Sequence, residues 1–162
     1  SDFVGKRGAS LRQNFNVQLF EQWLKRNYGE DIATAPINSM TPVVGEFPDG
    51  KQEYVFIVKA EEWLYEPLKG KTIDDTVPMA AKAYMEGDKL IWGFNVDPDI
   101  NLECEIPANK IKKFLTLLKQ QDKLTVIIVN HITMNIVWMT NNYPFWKVRD
   151  QFKPLFDYFG VR

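Results

Sequence analysis

The sequence predicts an α+β fold, a single domain whose largely antiparallel sheet is covered by helices, and three stretches carry that expectation. Every even-numbered position from Leu124 to Trp138 except Asn130 is a large apolar residue, the period-two pattern of strands. Around Gly87-Asp88 two apolar runs fold onto each other as a hairpin. Between these, Ile111, Phe114, Leu115 and Leu118 recur at the spacing of one helix face.

In chain order, Ser10 with Gln13 forms a capping box, and two rows follow at i,i+4: Leu11, Phe15, Leu19, Trp23, then Phe20, Leu24, Tyr28. A helix over 10–28 is expected, stopped by Gly29. Residues 30–50 carry Pro36, Pro42 and Pro48 and read as a long irregular connection. Tyr54-Val-Phe-Ile-Val58 is apolar on both faces, so a strand over 53–59 is expected at the centre of the sheet. Residues 61–78, with Trp63, Tyr65, Pro67, Gly70 and Pro78, show no sustained period and read as an excursion.

The hairpin, strands 79–86 and 89–96, has a register set by its own pattern. With a two-residue loop at Gly87-Asp88, Met85 faces Leu90, Ala83 faces Trp92, Ala81 faces Phe94 and Met79 faces Val96, all apolar. The opposite face pairs Glu86 with Lys89 and Lys82 with Gly93. A strand over 101–106 turns Leu102, Cys104 and Ile106 inward, and Pro107 opens a helix over 108–121 with lysines on its outer side. The run from 124 is too long for one strand. Parity favours a three-residue loop Val129-Asn-His131 between strands 124–129 and 132–139, pairing Ile128 with Ile132 and Val126 with Met134. Phe145, Val148, Phe152, Leu155 and Phe159 mark a last helix over 144–159, which Pro154 should break or kink into a helix and a short second turn.

The 162 residues are 45% hydrophobic and 25% charged, enough for one real core, so residues 1–162 read as one globular domain with 1–9 flexible. Lys+Arg 20 against Asp+Glu 21 leaves a net charge of -1, which excludes a global positive field for nucleic acid and restricts any such site to a local patch. One cysteine excludes an intramolecular disulfide, and with one histidine no zinc cage of Cys and His forms. No run approaches the ~18 apolar residues of a membrane span, so a cytoplasmic protein, of its source cell or of an infected host, is expected.

Glycine-rich phosphate loops, HExxH and GxSxG are absent from the sequence, and no cofactor is expected. His131 reads as an exposed turn residue and Cys104 as an inert core thiol. Asp97, Asp99, Glu103 and Glu105 form an acidic strand cluster that could hold a divalent cation through oxygen ligands, as in a metal-dependent hydrolase or nuclease. The nuclease pattern of Pro-Asp followed by acid-x-Lys is not met, because Ile57 stands where the acid is needed before Lys59. Lys110, Lys112, Lys113 and Lys119 are the candidate nucleic-acid surface, since phosphates need clustered cations. With 5 Trp, 6 Tyr and 11 Phe the chain has aromatics to spare, and Trp63, Tyr65, Tyr143, Trp146 and Tyr158 are candidate anchors for a protein partner. The leading expectation is a non-enzymatic interaction or accessory module of a larger assembly, able to self-associate. Nucleic-acid binding and metal-dependent hydrolysis are the alternatives.

Overall fold

A helix α1 (Val17–Thr34) leads into strand β1 (Met40–Glu46), which turns antiparallel onto β2 (Gln52–Ala60). The computed structural model describes residues 17–46, 49–68, 81–97 and 100–162. After β2 come a one-turn helix α2 (Glu62–Tyr65) and a 3-10 turn (Glu66–Leu68), then the meander β3 (Ala81–Glu86), β4 (Lys89–Asp97) and β5 (Ile100–Ile106). A 3-10 turn (Ala108–Lys110) opens α3 (Ile111–Lys119). Strands β6 (Lys123–Asn130) and β7 (Ile136–Pro144) and helix α4 (Trp146–Tyr158) complete the chain. The architecture is α+β with open, mainly antiparallel sheets.

Four strands form one sheet in the order β1-β2-β6-β7, and β3-β4-β5 form a second. A parallel bridge between Ser39 and Glu103 joins them. One apolar cluster runs under both sheets: Phe56 and Val58 of β2, Trp92 of β4, Cys104 of β5 and Ile128 of β6 meet Phe114 of α3 and Phe152 of α4. A second cluster lies on the opposite face of the four-stranded sheet, where Val55, Ile57, Ile127 and Met139 pack under Leu24 and Ile32 of α1. Aromatic rings fill much of the first cluster, with the Trp92 centroid 4.6 Å from that of Phe56, 5.5 Å from that of Phe152 and 6.5 Å from that of Phe114.

The hairpin register matches the expectation pair by pair, from Glu86 opposite Lys89 through Ala83 opposite Trp92 to Ala81 opposite Phe94; Met79 lies outside the described residues. Gly87 has φ +63° and Asp88 does not share it, which fits a type II′ turn. Gly93 is needed where β4 lies beside β5, since a Cβ there would run into the Leu102 carbonyl oxygen and sit 2.8 Å from Glu103 Cγ.

Four expectations are corrected. α1 runs through Gly29 to Thr34, because Ile32 extends the buried face begun by Leu24 and that packing outweighs one glycine; residues 10–16 lie outside the described residues. Within 30–50 the chain forms β1 despite Pro42, because β1 ends its sheet and proline there deprives no partner strand of a donor. Since Pro42 has no N–H, its pair with Phe56 is the non-bonded kind, so Val44, two residues on, also turns its peptide away from β2. The Tyr28 hydroxyl donates to the Val44 carbonyl at 3.4 Å, which blunts this edge further.

The β6–β7 connection is the five residues 131–135, not three, and pairs Ile128 with Trp138 and Val129 with Ile136. Parity could not decide it because β6 is buried on both faces. The Asn130 side chain closes the turn instead, its Oδ1 accepting the N–H of Ile132 at 2.8 Å and of Thr133 at 3.0 Å. Finally, α4 continues through Pro154 as one helix. Proline 154 is exposed, so the carbonyl it fails to bond faces water rather than the core.

Candidate interaction surface

The C-terminal ends of the parallel neighbours β2 and β6 carry the most apolar exposed surface among the described residues. Ala60 ends β2 opposite Asn130, which ends β6. Two backbone bonds draw further segments to this end: Asn38 N–H donates to the Lys59 carbonyl at 2.7 Å, and His131 N–H donates to the Ala60 carbonyl at 3.1 Å. Each segment that meets here presents an apolar side chain to solvent. Ile37 precedes Asn38 and is 41% exposed, Trp63 follows Ala60 in α2 and is 57% exposed, and Ile132 follows His131 and is 77% exposed. Among the described residues the other large exposed hydrophobics are Tyr84 and Tyr158.

Trp63 is held by its own helix start. Its indole Nε1 donates to the Glu61 carboxylate, leaving the ring outward. Ile37 and Ile132 were not singled out as surface residues by sequence; Ile132 was expected to face the core. The readable signal was an isoleucine inside a polar turn, Asn130-His-Ile-Thr133, and another between Pro36 and Asn38. His131 is half-buried rather than exposed, and the left-handed residue of its turn is Met134, with φ +58°.

Of the other proposed anchors, Tyr158 is 76% exposed on the last turn of α4, edge-on to Phe159. Tyr65 lies in α2, Tyr143 in β7 and Trp146 at the start of α4. The proposed anchors thus come from several elements rather than one.

On the lysine-bearing helix, Lys110, Lys112 and Lys113 are exposed and no acid pairs with them among the described residues. Lys119 differs from them. Its Nζ donates to the Val161 carbonyl at 3.2 Å and stands 5.1 Å over the Phe156 ring, tying α3 to the C-terminal turn. Lys119 is thus engaged within the fold, whereas the other three lysines of the expected set are exposed.

The acids of β5 face outward as alternation demands, yet each has a lysine: Lys82 lies 2.9 Å from Glu103 and Lys89 lies 3.7 Å from Glu105. Glu103 holds the Lys82 ammonium above the ordinary lysine range, through its hydrogen bond first and its charge second. Asp97 ends β4, and Asp99 lies outside the described residues. Among the described residues no three metal-ligating side chains converge. Burial pushes the Cys104 thiol far above its ordinary value, with Glu103 and Glu105 adding to the rise, so no thiolate is at hand for nucleophilic work.

No protein-family model matches this chain, nor does any curated protein or solved structure at a significant level. No helix of the described residues is long and apolar enough to cross a membrane.

Proposed function

We propose that the protein is a non-enzymatic interaction module of a larger assembly, meeting its partner, a second copy of itself included, through Ile37, Trp63 and Ile132. The observation that carries this reading is their convergence: three of the five large exposed hydrophobics among the described residues stand at one end of the four-stranded sheet. Single exposed apolar residues are ordinary, whereas grouped ones rimmed by polar turns are the usual mark of an interface. Trp is also the residue type that most often anchors such contacts.

The test is light scattering over a concentration series, together with capture from native lysate, for the natural chain and for Trp63→Ser and Ile132→Ser. Exposed positions of this kind change stability by within about 0.5 kcal/mol, so lost association would report on contact rather than folding. A chain that stays monomeric, and whose captured proteins are the same with and without these side chains, would sink the proposal.

A second reading rests on the unpaired lysines 110, 112 and 113, a local patch suited to phosphates. Replacing all three with glutamate should abolish any binding to single-stranded or duplex nucleic acid. Because each phosphate contact releases counterions, that binding should also weaken steeply with salt.

A further inference from the structure

Between the middle of α1 and the β6–β7 turn lies an open groove of about 340 Å³. Its floor is apolar, formed by Leu24, Ile32, Val129 and Met134, and Lys25 stands on its rim. Two of its lining residues go against local preference. Gly29 sits inside α1, where glycine is a poor helix former, and a Cβ built on it would have Lys25 Cβ, at 3.9 Å, as its nearest neighbour. Met134 takes a left-handed φ of +58°, a conformation that bulky side chains avoid. One choice leaves space and the other sets the wall of the same space, and strain of this kind gathers where a ligand is held.

We propose that this groove binds a small apolar carboxylate, its chain against Leu24, Ile32, Val129 and Met134 and its carboxylate on the Lys25 ammonium. Charge decides the class of ligand. Lys25 is exposed, no acid pairs with it among the described residues, and no carboxylate lines the groove. A neutral chain would leave this cation unused and a cationic amphiphile would meet repulsion. The volume is at the lower end of the ~300–1,000 Å³ of ligand pockets, which selects a medium-length chain. The groove shares the β6–β7 turn with the proposed interaction surface, since Thr133 and Met134 line it beside Ile132, but none of Ile37, Trp63 and Ile132 is among its lining residues.

Decanoate, below the concentration at which it forms micelles, titrated into the full chain and followed by methyl NMR tests the proposal. The methyl signals of Leu24, Ile32, Val129 and Met134 should move together and saturate, with decanol binding more weakly and decyltrimethylammonium weakest. Lys25→Gln should weaken decanoate by about 2- to 5-fold, the worth of an exposed ion pair, and Lys25→Glu should reverse the order of the charged probes. Gly29→Leu, placed in open space and a good helix former, should keep the fold and remove the response. Decanol binding as tightly as decanoate, an undiminished response in Gly29→Leu, or no response at millimolar decanoate would each overturn the proposal. So would movement of the same methyls on raising the protein concentration alone, which would assign the groove to a second copy.

Discussion

The side-chain amide of Gln121 stands in for a strand residue beside Tyr54: its Oε1 accepts the Tyr54 N–H at 2.7 Å and its Nε2 donates to the Tyr54 carbonyl at 3.5 Å. The β2–β6 ladder proper starts one residue later, at Val55 opposite Thr125. Gln121 therefore extends that ladder by one rung from the end of α3, and it does so with only 2% of its surface exposed. Its own carbonyl accepts from Arg149 of α4 at 3.0 Å, so β2, α3, β6 and α4 meet at this one corner.

Gln121→Leu should therefore lower stability by about 1–3 kcal/mol, because it strands two buried backbone groups of Tyr54 at nearly constant side-chain size. Urea denaturation would read the loss as a lower midpoint with an unchanged slope. An unchanged midpoint would mean that water replaces the amide at no cost.

Two glycines should respond to alanine with opposite signs. At Gly93 the new methyl would meet Glu103 Cγ at 2.8 Å and the β5 backbone, so the hairpin must shift, at about 1–3 kcal/mol. At Gly29 the methyl has room and helix propensity improves, raising stability by roughly 0.5–1 kcal/mol. Paired thermal melts of the two variants would check the signs.

Replacing Pro154 with alanine should stabilise the protein. The ring occupies an exposed interior position of α4, where proline costs up to ~3 kcal/mol relative to alanine, partly offset by the freedom that alanine restores to the unfolded chain. A melting temperature equal to or below that of the natural chain would show that α4 depends on the proline.

Glu53 should make stability fall as pH rises. Burial holds its carboxyl above the ordinary 4.5; Lys51 opposes the rise, while Asp49 and Asp122 add to it. The folded state thus keeps this proton longer than the unfolded chain does. Its contribution is complete below the ordinary glutamate range and is lost as pH climbs through the raised value. Glu53→Gln should lack that loss, so the stability difference between variant and natural chain should grow in the variant's favour from acid to neutral pH. Denaturation midpoints at matched ionic strength would show it.

Cys104, fully covered and with its thiol held protonated, should resist a thiol reagent in the native state at neutral pH and react only on opening. Labelling rates that rise in step with denaturant, to the extent set by global unfolding, are the expected outcome; fast labelling without denaturant would place the thiol at the surface.

Where both partners of a contact lie close along the chain, the sequence determined the structure. The β3–β4 register followed from residues 81–94 alone, because small alanines face large rings and a slip by one would turn every apolar side chain to solvent. The inner face of α3 was equally legible, with Ile111, Phe114, Leu115 and Leu118 all buried. Tertiary structure decided what these periods do not encode. β2 and β6 are apolar on both faces, so nothing local says that they pair in parallel or which way their ends point. β1 exists because a proline is harmless at a sheet edge, and α1 outruns Gly29 because Ile32 finds a cover across the sheet. Of the surface of Ile37, Trp63 and Ile132, the sequence offers Trp63 as an anchor, but Ile132 reads as core by its alternation and Ile37 as part of an irregular connection until the neighbouring strand ends are in place, and only that packing leaves them outside.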